Sequence, residues 1–148
     1  MKVRASAVFE QDGKILCLKY IYGGKEVFSI PGGGVDDDIS LPEVVVKEWK
    51  EEMGIKVKVG DIILVGEAPA GKRYPRTLHI IFEANEIDGN PRVQSAHTTS
   101  LDVIWLPIEN LSCVSLYPDV GKQLKAYFKK NPRRTITFVG NCMQRGYS

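Results

Sequence analysis

Residues 31–55 read Pro31-Gly32-Gly33-Gly34-Val35-Asp36-Asp37-Asp38-Ile39-Ser40-Leu41-Pro42-Glu43-Val44-Val45-Val46-Lys47-Glu48-Trp49-Lys50-Glu51-Glu52-Met53-Gly54-Ile55. Three signals lie in this one stretch: a glycine run after a proline, an acidic loop, and a helix marked at both ends. Ser40 and Glu43 stand as S-x-x-E, the spacing of a capping box. Pro42 falls in the first turn, where a missing N–H costs little. Gly54 follows Met53 as a C-terminal stop. The predicted helix therefore runs over 40–53.

At about 100° per residue, Leu41, Val45, Trp49 and Met53 make one apolar stripe, widened by Val44 and Val46. Glu48, Glu51 and Glu52 group at i, i+3 and i+4 on its edge. Glu52 falls between Leu41 and Val45 in angle, and Glu48 between Leu41 and Val44. Acids so placed are drawn partly off the solvent face. They repel one another and lose hydration, and a bound divalent cation relieves both penalties. Mg²⁺ prefers carboxylate oxygen and shares its shell with water and phosphates. The glycines beside it permit close backbone approach and conformations closed to other residues. Taken alone, a Lys/Glu run of this kind is commonly a solvated face with i,i+4 ion pairs, and a glycine triplet is commonly a loop. The joint arrangement of strand, Pro-Gly-Gly-Gly, acidic loop, capped helix, clustered glutamates and Gly54 is what favours a metal-assisted phosphate site.

Outward from this segment, residues 2–10 and 14–22 alternate apolar and polar around Gln11-Asp12-Gly13, which predicts a hairpin. Gly23-Gly24 marks a second turn, and residues 26–30 a short strand halted by Pro31 and the glycines. Further strands are expected at 57–66, 76–86 and 102–106. A second helix is expected at 119–130, a last strand at 134–139, and a loose end at 141–148. Mixed strands and helices without strict alternation predict an α+β layering.

The whole chain has 148 residues, 43% hydrophobic and 26% charged, the size and make-up of a single globular domain spanning 1–148. A net charge of +2 argues against a nucleic-acid polymer or an anionic membrane as partner. Cys17, Cys113 and Cys142 form no CxxC pair, which argues against a disulfide framework or zinc site and for a reducing, cytoplasmic setting. Cys17 in an apolar strand reads as a core thiol. The first residues lack the apolar core of a signal peptide, and no apolar run is long enough to span a bilayer.

The 33–55 segment resembles the box of the Nudix hydrolase family, of which MutT-like proteins are members. That box reads G-x5-E-x7-R-E-U-x-E-E-x-G-U, where U is bulky and apolar. Gly33, Glu48, Trp49, Glu51, Glu52, Gly54 and Ile55 stand in register. Ile39 replaces the first Glu of the box, and Lys47 replaces its Arg. Phe28 to Pro31 resembles the strand leading into the box, and Trp105-Leu106-Pro107 the strand end before the second helix. The resemblance covers roughly residues 3–130, and the box is its specific part.

The resemblance implies an α/β/α sandwich around a mixed sheet and hydrolysis of a nucleoside diphosphate linked to another moiety. It implies Mg²⁺, with Mn²⁺ as a substitute, held by Glu48, Glu51 and Glu52 with Gly33 as a backbone contact. It further implies attack of a metal-activated water on phosphorus. The family often takes its general base from outside the box, and Asp102 is the candidate here. Losing both Glu and Arg of the box leaves no lone buried carboxylate, although Lys47 lacks the planar fork that grips one.

Lys72, Arg73, Tyr74 and Arg76 form a basic, aromatic loop that reads either as a phosphate- or base-binding element or as a solvated hairpin tip. His79 and His97 lack metal-spaced partners and read as structural or surface residues. Three functions follow for comparison: an active hydrolase on a small nucleotide-like substrate, a nucleotide-binding domain without turnover, and a structural domain with an acidic helix. A homodimer stays open on this sequence.

Overall fold

The computed structural model describes residues 1–35, 38–130 and 136–143. Its strands are β1 (Lys2–Val8), β2 (Glu10–Gln11), β3 (Lys14–Tyr22), β4 (Lys25–Ser29), β5 (Gly32–Gly34), β6 (Lys56–Ala68), β7 (Thr77–Asp88), β8 (Asp102–Pro107), β9 (Leu116–Tyr117) and β10 (Thr137–Val139). The helices are α1 (Leu41–Met53) and α2 (Gly121–Lys129), with a 3-10 turn at Ile108–Asn110.

Two sheets share the central layer. One is mixed, in the order β10-β6-β7-β1-β5. The other runs β2-β3-β4-β9, with β8 paired to β3. Strand alternation sorts side chains to the two faces. Ala5, Ala7, Ile80 and Phe82 join Leu16 and Leu18 in a core with Val44, Val45, Trp49 and Met53 of α1. Ile81, Leu64, Ile15 and Cys17 join a second core with Leu124 and Tyr127 of α2. Helix, sheet layer and helix thus stack as the expected α/β/α sandwich, with both sheets contributing to the core on each side.

The caps of α1 stand where the sequence places them. Ser40 accepts from the Glu43 N–H at 3.4 Å, and its hydroxyl donates to the Glu43 carboxylate at 3.0 Å. Gly54 adopts φ 68° and donates to the Lys50 carbonyl. Trp49 is fully buried, and its Nε1 donates to the Pro31 carbonyl at 2.9 Å. The apolar stripe is narrower than expected, because Val46 is exposed. At that angle the helix has turned away from the sheet.

Four expectations need correction. The Asp12-Gly13 turn exists, with both residues at positive φ, but it joins only β2 to β3. β1 pairs instead with β5 and β7: at Phe9 the chain leaves one sheet for the other, and a long-range parallel pairing displaces the local one. β4 does end at Ser29, before Pro31 and the glycines, but Gly32–Gly34 then form a strand of their own, antiparallel to β1 with Ala5 opposite Gly33. None of the three has positive φ; close approach explains Gly32 and Gly33, whereas a Cβ on Gly34 would meet nothing. The last strand begins at Thr137; residues 131–135 lie outside the described residues, as do Asp36, Asp37 and 144–148. Within the end expected to be loose, Cys142 is fully buried, donates to the Glu67 carbonyl and accepts from the Asp119 N–H.

Candidate functional site

The acidic side of the site comes from the last two turns of α1. Glu52 is only 7% exposed, and its Oε1 has no hydrogen-bond partner. It also accepts from the Gly32 N–H. Burial pushes this carboxyl up to about 7, and the nearby charge of Glu48 adds to the rise. The Arg4 guanidinium opposes it, Glu51 raises it further, and the Gly32 N–H opposes it again. Glu48 and Glu51 are half-buried.

The glycine strand explains how Glu48 is held. A Cβ on Gly33 would run into the Glu48 carboxyl group, and one on Gly32 would run into the β1 backbone at Ala5 and Ser6. The Val35 N–H bonds the Val3 carbonyl and the Ala7 N–H bonds the Pro31 carbonyl. By ladder alternation Gly33 and Ala5 form the hydrogen-bonded pair between them. Gly32 and Gly34 therefore turn their backbone groups away from β1, which lets Gly32 serve Glu52. What Gly33 visibly offers is room for Glu48, while its backbone faces β1. Among the described residues, no three His, Cys, Asp or Glu side chains converge closely enough to enclose a metal ion as they stand.

A cavity of about 650 Å³ opens beside Glu52, between the two sheets. That size suits a small organic ligand. Arg4 and His79 from β1 and β7 line one wall; Tyr20, Tyr22 and Tyr117 line the other. Tyr20 and Tyr22 stack at 5.8 Å, 11° from parallel. A shallower cleft adjoins it, sharing Tyr20 and Glu52 and adding Glu48 and the 95–99 loop. The Tyr20 hydroxyl and Thr98 Oγ1 lie 3.3 Å apart, tying that loop to β3. Burial raises the pKa of the Tyr20 phenol.

The structure thus brings Glu48 and Glu52 to one cleft, with Glu51 close enough to raise the pKa of Glu52. Asp102 begins β8 opposite Lys19, is exposed, and accepts from the Val103 N–H at 2.8 Å. It borders neither cavity. Of the basic loop between β6 and β7, Tyr74 and Pro75 line the larger cavity, whereas Lys72, Arg73 and Arg76 do not. Arg76 pairs with Glu67. His97, read as a surface residue, borders the cleft beside Glu48 and Glu52.

The sequence reading missed Lys2 and Arg4, which also line the larger cavity. The alternation of Lys2 and Arg4 with Val3 and Ala5 at the start of β1 was the available signal. Arg4 Nη2 donates to the Ile30 carbonyl at 2.7 Å and to Ser29 Oγ at 3.4 Å, and its guanidinium lies 4.9 Å from the Tyr117 ring centre. Ile39 packs against the α1 core, an apolar substitute for the carboxylate that the box places there.

Known proteins share this fold. An ADP-ribose pyrophosphatase of Methanocaldococcus jannaschii is 33% identical over 88 residues, which is 59% of this chain and 52% of that protein; the match thus spans about half of that relative's length. The solution structure of the E. coli ORF135 protein superposes with a TM-score of 0.74 at 21% identity, over 90% of this chain and 93% of that one. The MutT protein of Methanosarcina mazei Go1 gives 0.69 at 24% identity, over 87% and 96%. These structures share the fold. The model of the NUDIX domain matches residues 1–129, from the first strand to the end of α2, and by that match the chain belongs to the NUDIX domain family.

Proposed function

We propose that this protein is a Mg²⁺-dependent pyrophosphohydrolase that cleaves the diphosphate linkage of a nucleoside diphosphate joined to another moiety. The observation that carries this reading is Glu52: a buried carboxyl with an unpartnered oxygen, beside Glu48, at the edge of a cavity sized for a small ligand. A buried acid next to another acid is costly without a counter-charge. Membership of the NUDIX domain family and likeness to an ADP-ribose pyrophosphatase support a diphosphate as the target.

The residues fit a divalent cation. Glu48, Glu51 and Glu52 would hold it, an all-carboxylate donor set of the kind Mg²⁺ prefers. When bound, the cation lowers the pKa of water and offsets charge on the phosphate oxygens. The chain's own residues do the rest. The Gly32 N–H fixes Glu52, Gly33 leaves space for Glu48, and the tyrosine walls hold the organic part of the substrate away from water. His97 is a better-placed proton acceptor than Asp102, because its ring borders the cleft that holds the acids. Lys72 and Arg73 lie outside the cavity lining and would meet only a substrate long enough to reach past its rim.

Binding without turnover is the competing reading. It draws on acids that do not converge and on Ile39 in the core. A panel of nucleoside triphosphates, nucleotide sugars and ADP-ribose separates the two when the released nucleoside monophosphate is measured with Mg²⁺ and with chelator. Turnover of at least one diphosphate that chelator abolishes is the expected result. Binding with no turnover of any compound, or turnover indifferent to chelator, overturns the proposal.

A further inference from the structure

Arg4 and His79 are unexplained by the hydrolytic reading. Arg4 Nη1 is buried with no partner, as are both ring nitrogens of His79, whose side chain is fully buried. Buried polar groups are nearly always paired, and each exception calls for a reason. The two residues face each other across the β1–β7 ladder, in register. One tyrosine touches both: Tyr117 lies under the Arg4 guanidinium and packs edge-on against His79 at 5.4 Å. Arg4 is pinned through Nη2 by Ile30 and Ser29, so Nη1 is left as a fixed donor. Arg4, His79, Tyr117 and Ser29 line the cavity that also holds Glu52.

The chemistry narrows the ligand. A guanidinium only donates, so the missing partner of Nη1 is an acceptor. Burial and the Arg4 charge hold His79 down to about 4, so at neutral pH its ring is uncharged, with one N–H and one bare nitrogen. An uncharged ring with an accepting nitrogen suits a neutral ligand edge better than a phosphate. The stacked Tyr20–Tyr22 pair and the Tyr74 ring on the same cavity suit a flat heterocycle.

On the reading that the substrate is a nucleotide, we infer that Arg4 and His79 read the edge of its base and select one carrying a ring carbonyl oxygen, as guanine, cytosine and uracil do, over adenine. Arg4 donates to the carbonyl and His79 takes the neighbouring ring position. The adenine-containing substrate in the name of the M. jannaschii relative makes adenine the natural contrast.

Binding of GMP, CMP, UMP, AMP and ribose 5-phosphate to the whole protein in chelator, followed by calorimetry, tests this. At least one carbonyl-bearing nucleotide should bind about tenfold or more tighter than AMP, the effect of one net hydrogen bond. Arg4→Met should shrink that preference to under about threefold while leaving ribose 5-phosphate binding unchanged. His79→Gln should narrow it in the same direction, and carries the test if melting shows that Arg4→Met does not fold. AMP binding as tightly as the others overturns the inference. So does an Arg4→Met variant that weakens ribose 5-phosphate as much as GMP, since that marks a phosphate site. Base preference without turnover of any diphosphate sinks the hydrolytic reading alone; turnover without base preference sinks the base assignment alone.

Discussion

Glu52 holds two opposed demands in one side chain: it packs like a core residue and carries a carboxyl that its surroundings keep near neutrality in pKa, about 7. Glu52→Gln keeps the shape and the Gly32 hydrogen bond but removes the ligand charge. We expect turnover to fall roughly a hundredfold or more, as on loss of a principal electrostatic contact. Lys47→Met should cost less than about tenfold, under about 1.4 kcal/mol of barrier, because Ile39 has taken the partner carboxylate's place in the core. Both variants are to be compared on one substrate at saturating Mg²⁺; a folded Lys47→Met as inactive as Glu52→Gln would restore a central role to Lys47. The inward turn of Glu52 was legible from helical angle alone, since 100° steps place it between Leu41 and Val45. Arg4 was not legible in the same way. Strand alternation puts a cation on one face of β1, but whether that face meets solvent or a cavity depends on β7 and β4, remote in the chain.

At the level of elements, the contact between β5 and α1 decides where the acids lie. Gly33→Ala forces a methyl group into Glu48, whereas a Cβ on Gly34 meets nothing within 4 Å. The atoms met are the end of a flexible, half-buried side chain that can swing aside, so the fold is little affected and the geometry of the acids is. Gly33→Ala should therefore leave the melting temperature within about 2 °C of wild type, under about 1 kcal/mol, and cut turnover by about tenfold or more as Glu48 is displaced. Gly34→Ala should leave both unchanged. Melting curves and initial rates of the two variants side by side decide it; equal behaviour would remove Gly33 from the site. The glycine run was read as allowing close backbone approach to a ligand and unusual backbone angles; the angles are ordinary, and the close contacts of Gly32 and Gly33 are with β1 and Glu48. Three glycines carry no strand propensity of their own, so only the pairing with β1 reveals them as a strand. The ends of α1, by contrast, are written locally in Ser40, Glu43 and Gly54.

For the whole molecule, the buried His79 ties stability to pH. Its pKa is lowered from 6.5 to about 4, by burial first and by Arg4 second. Between those values the unfolded chain binds a proton that the folded protein refuses, so this residue's contribution is present above about pH 6.5 and is lost as pH falls towards 4. Glu52 works the other way: its raised pKa makes its contribution largest below about 4.5 and removes it as pH rises through 7. The difference between wild type and His79→Gln isolates the histidine. In metal-free buffer, that difference in unfolding free energy should shrink as pH falls from 7 to 4; a constant difference would show that His79 is not held neutral. The sandwich itself was legible because both helices and the long strands announce themselves by period. The division into two sheets was not, because it turns on the parallel pairing of β1 with β7, across some seventy residues.

The Pro31 carbonyl accepts from two directions, the Ala7 N–H at 3.2 Å and the Trp49 indole at 2.9 Å. Proline has no N–H to give, yet here its one oxygen fastens a strand and a helix to the same point. That junction is anchored entirely in buried, regular structure, while the outer rim of the cavity is built from the turn bearing Tyr74 and the loop bearing Thr99. The acids and the rim therefore have separate foundations. Loop lengths and residues around the opening can be exchanged, by drift or by a protein engineer, and the chemical end of the cleft keeps its place; this architecture favours a catalyst whose appetite changes more readily than its bite.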